Sequence, residues 1–256
     1  MPACERVSKI AMTTDKAQIE KRLVDLNNAT LTVTGRLIDA SNATLYAMCT
    51  VKDSAGEREF ACIYKPIAGE RPLWDFPDGT LANREYLTFL LSHWLELHLV
   101  PPTILRDGPY GTGMVQMWID IDPEVELMDF YSEDDPRLRS LALFDVIINN
   151  TDRKIGHLIP STEGHLYGCD HGVTFHEEDK LRTVLWQWAG DKFTDAETDL
   201  LQKARELFMV SKREIVEGLI DAEEISATIA RIDRALADGS FPQPNPDWPA
   251  VPWPPF

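Results

Sequence analysis

Two carboxylates stand apart from the other acidic side chains by their setting. Asp152 lies in NNTDRKIGHLI, where the polar cluster Asn149, Asn150, Thr151, Asp152, Arg153 and Lys154 follows the apolar run FDVII. Asp170 ends the strand-like LYGC and precedes His171 and Gly172. Each has a plain reading by itself. A polar cluster at a helix end makes caps and turns, and Asp ahead of a nearby glycine makes turns. Taken together, with one hairpin-like segment between them, they suit phosphoryl transfer. That chemistry uses one carboxylate near the attacking hydroxyl and another on the metal ion that bridges the phosphates. On this reading Asp152 is the base or orienting acid and Asp170 a metal ligand. Arg153 or Lys154 would stabilise the transferring phosphoryl group. His157 falls inside the same stretch.

A lysine and a glutamate further upstream fit the same chemistry. Lys65 ends the strand-like ACIYKP, from which it could reach the α- and β-phosphates or simply face solvent. Glu85, in NREYLTFLL on a predicted helix, is the acid available to hold it, with Arg84 as its rival for the inward face. Residues 35–44, GRLIDASNAT, form a phosphate-loop candidate in which Ser41, Asn42 and Ala43 are small enough for backbone N–H groups to approach phosphate oxygens. With one glycine only, an ordinary β-turn is the competing reading. The acidic stretch 120–135 reads as a solvated loop or as a lip that attracts cations. His93 and His98 have core-like neighbours on the predicted helix, and packing explains them.

These residues need elements to position them. Leu31 and Val33 alternate with threonines, and 46–51 and 59–64 read as two further strands joined by a turn at 53–56. A short amphipathic helix is predicted over 15–27 and a long one over 81–98, stopped by Pro101 and Pro102. Strands follow at 104–105 and 114–119, then a helix at 136–148 with Pro136 in its first turn. After 180 the chain reads as mostly helical, over 195–207, 212–219 and 222–237. The final 16 residues hold seven prolines, which exclude helix and inner strand. Their Trp248 and Trp253 would either pack back on the chain's own helices or dock a partner. The order, sheet first and helices later, predicts an α+β fold. Its organisation would be an N-lobe over 1–119 (sheet, helix and hinge), a C-lobe over 120–240 and a tail over 241–256.

Composition narrows the partners. The chain has 256 residues, 44% hydrophobic and 26% charged, ordinary for a globular protein. Its net charge of −17, from 25 Lys+Arg against 42 Asp+Glu, disfavours nucleic acid and anionic membrane, both of which reward basic side chains. Cys4, Cys49, Cys62 and Cys169 form no CxxC pair, so zinc is not expected. Three of them sit among apolar residues, as in a reducing cytoplasm. The opening MPACERVSKIAM has no apolar run of the signal-peptide kind.

The ordered set of a strand lysine, a helix glutamate, VQMWID, NNTDRKIGH and YGCDHG resembles the PI3/PI4-kinase-like and HipA-like branch of the kinase superfamily. TDRKIGH resembles the catalytic loop of that group and CDHG its metal-binding Asp-Phe-Gly. More closely, YKPIAGERPLWDFPDGTLANRE, LVPPTILRDGPYGTG, LWQWAG and VPWPPF resemble an actinobacterial family of such proteins, from about Leu31 to Phe256. The resemblance implies a protein-kinase-like two-lobe fold with ATP between the lobes. It implies that Lys65 binds the ATP phosphates and Glu85 orients it. Gln116, Met117, Trp118 and Ile119 would be the hinge that receives adenine, Asp152 the catalytic acid, and Asp170 the ligand of Mg²⁺ or Mn²⁺. Lys154 departs from the histidine of the family triplet. His157 stands where a metal-binding asparagine is expected, so it would ligate a softer ion such as Mn²⁺, leave a single metal, or mark a nucleotide-binding pseudokinase. The acceptor expected is a protein or small molecule.

Overall fold

The computed structural model describes residues 3–37, 42–54 and 56–256, with side chains from residue 16 onward in the first helix. The chain divides into two compact units. One combines 1–70 with 102–118, the other 71–101 with 119–256. The secondary structure is α+β, an antiparallel sheet followed by mostly helical chain. Among the described residues, no helix is long and apolar enough to cross a membrane.

The first unit is a five-stranded antiparallel sheet backed by one helix, α1 (Ala3–Asn28). The strands β1 (Thr30–Arg36), β2 (Leu45–Asp53), β3 (Gly56–Pro66), β4 (Thr103–Gly108) and β5 (Gly111–Met117) lie in the order β1-β2-β3-β5-β4. Period-two patterning decides which face is covered. Ala47, Cys49 and Val51 of β2 and Cys62 and Tyr64 of β3 form the core with Leu26, Leu31 and Val115. Arg106 holds the end of α1 against the sheet by donating to the carbonyls of Leu26 and Ala29, at 2.6 and 2.9 Å. The helix begins well before residue 15.

The second unit is built on α4 (Pro136–Ile148), whose buried residues include Leu141 through Ile148 without a break. A helix apolar all round belongs in a core. Asp135 caps its first turn, ahead of Pro136. Around it lie α2 (Leu81–Trp94), α3 (Leu127–Phe130), the hairpin β6 (Leu158–Pro160) and β7 (Leu166–Gly168), α5 (Asp195–Glu206), α6 (Arg213–Glu217) and α7 (Ala222–Asp238). A π-turn over Leu207–Ser211 joins α5 to α6.

Three expectations are corrected here. The long helix was grouped with the sheet, yet α2 belongs to the second unit. Buried Arg84 explains this, since it donates to the Thr174 carbonyl at 2.7 Å and pairs with Glu224 of α7. The same helix ends at Trp94, not His98. Buried Ser92 gathers the following backbone instead. Its carbonyl accepts from Leu97 and its hydroxyl from the Leu99 N–H at 2.8 Å, while Glu96 and His98 take left-handed backbone. The strand predicted to run to 119 stops at Met117, and the division between units falls between Trp118 and Ile119.

Candidate active site

The polar cluster after α4 leaves the helix through Asn149, which caps it in the left-handed conformation (φ 50°) that Asn tolerates. Asn149 then binds outward, donating to the carbonyls of His176 and Glu178 and accepting from the Lys180 N–H. Asn150 turns inward, donating to Asp145 at 2.9 Å and accepting the Asp152 N–H at 3.0 Å. This pair of amides sets the direction in which Asp152 leaves the core.

Arg153 does not face a ligand. It is fully buried and forks onto Asp145, itself fully buried within α4, with nitrogen–oxygen distances of 2.9 and 3.0 Å. Burial works against its charge, but the Asp145 carboxylate overrides this and holds the guanidinium protonated. Its remaining donors reach the Cys169 carbonyl at 3.1 Å and the His171 ring at 2.6 Å. Arg153 therefore braces the Asp152 loop against the Asp170 loop. The task of stabilising a phosphoryl group cannot fall to it, which leaves Lys154.

Asp170 also has left-handed backbone (φ 59°), and its carboxylate is half exposed. The loop behind it is pinned by buried Glu85, which accepts the His171 N–H at 3.0 Å. The His157 ring stands over Asp170, with Nε2 3.5 Å from Oδ2. On its other side Nδ1 accepts the Lys154 N–H at 3.4 Å. His157 therefore turns Nε2, and not Nδ1, toward Asp170.

Asp152 sits between two cations. Lys154 Nζ is 3.4 Å from Oδ2 and an Arg182 nitrogen is 3.4 Å from Oδ1. Arg182 is itself anchored by Nε–H to the Thr151 carbonyl at 2.7 Å. Burial pushes the Asp152 carboxyl above its ordinary value. Lys154 and Arg182 pull it down, and the Asp170 charge adds to the upward push. The net rise suits a group that must accept a proton. Arg182 escaped the sequence reading, because it lies 30 residues downstream in a segment with no periodic pattern.

In the first unit, Lys65 pairs with Met114 near the end of β3. Alternation puts Lys65, Ile63, Met114 and Gln116 on the sheet face turned away from α1. Gly113 lets β5 approach closely there, since a Cβ on it would lie 2.4 Å from the Lys65 carbonyl oxygen. Ser41 lies outside the described residues. The Ala43 N–H donates to the Gly69 carbonyl at 3.1 Å, so it is not open to phosphate as expected. Asn42 accepts the Thr44 N–H through its carbonyl. Within the predicted hinge, the Met117 and Trp118 N–H groups already donate to Pro102 and Ala61, at 2.9 and 3.1 Å. The Gln116 side chain donates to Thr103 at 2.9 Å.

Fold and site together define an α+β protein whose helical unit presents two acidic loops tied by a buried arginine. No family model matches the chain. It is 41% identical over 240 residues to Protein Rv2133c of Mycobacterium tuberculosis, covering 80% of this chain and 86% of that protein, and it belongs to the same family. In structure it is similar to the Helicobacter pylori proinflammatory kinase CtkA, with a TM-score of 0.44 and 9% identity over 84% of this chain and 94% of that one.

Proposed function

We propose that the chain is an ATP-dependent phosphotransferase that moves the γ-phosphate to a hydroxyl of a protein or small-molecule acceptor, in the cytoplasm. The observation that carries this reading is the meeting, within one unit, of Asp152, Lys154 and Asp170 on two braced loops. Asp152 accepts the acceptor hydroxyl's hydrogen bond and takes its proton, a role its raised pKa supports. Lys154 offers its charge to the transferring phosphoryl group. Lys65 binds the α- and β-phosphates, and backbone groups of Gln116, Met117, Trp118 and Ile119 receive adenine. Asp170 fits Mg²⁺ or Mn²⁺ as a half-exposed oxygen ligand of the kind that shares such an ion with substrate phosphates. When bound, the ion neutralises charge on the β- and γ-phosphates.

Thermal unfolding with and without ATP, each with Mg²⁺ or Mn²⁺, tests this reading. Ligand at about 100 times its Kd adds roughly 2.7 kcal/mol. The metal-dependent shift should vanish in Asp170→Ala and weaken in Lys65→Ala. Asp152→Asn should abolish transfer and spare ATP binding. No shift at millimolar nucleotide would refute the proposal.

A second reading, a nucleotide-binding pseudokinase that regulates a partner, draws support from His157, which stands 3.5 Å from Asp170 where the resemblance expects a metal-binding asparagine. It predicts a nucleotide-dependent thermal shift with no loss of γ-phosphate, and no difference between the parent and Asp152→Asn in turnover.

A further inference from the structure

The proline-rich tail has contacts that the proposed function does not use. Ala250 accepts the Thr183 N–H at 3.0 Å and the Trp186 indole N–H at 2.9 Å. Pro252 is buried. Pro255 then accepts the Ile155 N–H at 2.8 Å, and the Phe256 ring lies over Gly156, where a methyl group would touch it at 3.8 Å. Ile155 and Gly156 lie in the loop between Asp152 and His157. The inner side of that loop is held by Arg153, through Asp145, and by its backbone. The Arg153 N–H donates to the Arg182 carbonyl at 3.0 Å, and the Val184 N–H donates to the Arg153 carbonyl at 3.1 Å. Three segments thus lie side by side, the loop, 182–186 and the tail.

We infer that residues 250–256 are a built part of the candidate site, with Pro255 and Phe256 as positioning residues that clamp the loop between Asp152 and His157 from outside. Trp253, next to them, is 88% exposed and takes no part in the clamp. The tail therefore divides its aromatics, Trp248 packing near Lys180 and Trp253 left in solvent. The clamp itself stands on the contacts above. Its bearing on catalysis rests on the phosphotransferase reading.

Hydrogen exchange at single-amide resolution tests it, comparing the parent, a chain ending at Pro249, Phe256→Ala and Trp253→Ala. The Ile155 amide should exchange about tenfold faster or more in the shortened chain, since its acceptor is gone, while Phe144 and Ile147 in α4 keep their protection. Phe256→Ala removes only a half-exposed ring and leaves the unit folded. It should speed exchange at Ile155 and Gly156 by a smaller factor, and Trp253→Ala should leave both unchanged. ATP turnover should lose kcat with KM for ATP unchanged in the first two variants. Unchanged Ile155 exchange in both of those variants would overturn the clamp, as would a Trp253→Ala effect equal to that of Phe256→Ala. Absence of turnover in the parent would instead refute the phosphotransferase reading, and the exchange rates would still decide the clamp.

Discussion

Replacing Arg153 by leucine should be among the most damaging single changes in the second unit. Asp145 would lose its counter-ion in a site with no solvent access, holding only the Asn150 amide and a 3.4 Å contact from Thr183. Breaking a buried ion pair from one side costs about 3–5 kcal/mol, mostly the penalty of the stranded charge. At about 2–4 °C per kcal/mol for a unit of this size, the midpoint should fall by roughly 6–20 °C. Asp145→Leu should cost a similar amount. The double replacement removes both charges and should recover to within about 2 kcal/mol of the parent. Urea unfolding followed by tryptophan fluorescence is the suitable assay. Of the seven tryptophans only Trp118 lies in the first unit, so the signal reports mainly on the second. A cost below about 1 kcal/mol for Arg153→Leu, or a double variant no better than the worse single one, would refute the stranded-charge reasoning.

The remaining predictions concern Asp152 and the sheet. Because burial raises the Asp152 carboxyl above 3.8, the folded chain keeps this proton longer than the unfolded chain does. Its contribution to stability is therefore present at low pH and lost as pH rises from about 3.8 through the raised value. Asp152→Asn should melt higher than the parent at neutral pH, with the gap closing below that window in a Tm-against-pH series. Arg182→Ala should raise the Asp152 pKa further, since Arg182 pulls it down, and a carboxyl NMR titration would read this directly. Gly113→Ala should drive β5 off the Lys65 carbonyl, costing about 1–3 kcal/mol in urea unfolding of the first unit and weakening ATP binding with it.

Much of the framework could be read from local pattern. Leu31 and Val33 alternating with threonines marked β1, and Pro136 with the apolar run behind it marked α4 to the residue at both ends. The two acidic loops were legible because Asp152 and Asp170 follow regular elements. What failed was whatever depends on partners distant in sequence. Arg153 reads, beside Lys154, as a cation for the transferring phosphoryl group. The one available signal was Asp145, an acid inside an apolar helix, which must have a buried counter-ion. The end of α2 rests on the Ser92 side chain, and its membership of the second unit on Arg84 and Glu224, 140 residues apart. Neither leaves a periodic trace. The Ala43 N–H was lost to Gly69 for the same reason.

The arginine that joins the two loops has a thermodynamic corollary. One guanidinium bonds to Asp145, to the Cys169 carbonyl and to the His171 ring, so the residues on either side of Asp170 share a rigid part with Asp152. On the phosphotransferase reading, a ligand that tightens one loop through this arginine would change the free energy of occupying the other. Linkage makes that exchange symmetrical. If a cation at Asp170 increases the affinity for whatever Asp152 grips by some factor, the gripped molecule must increase the affinity for the cation by that same factor. On the phosphotransferase reading, the brace would make two neighbouring sites a single cooperative receptor.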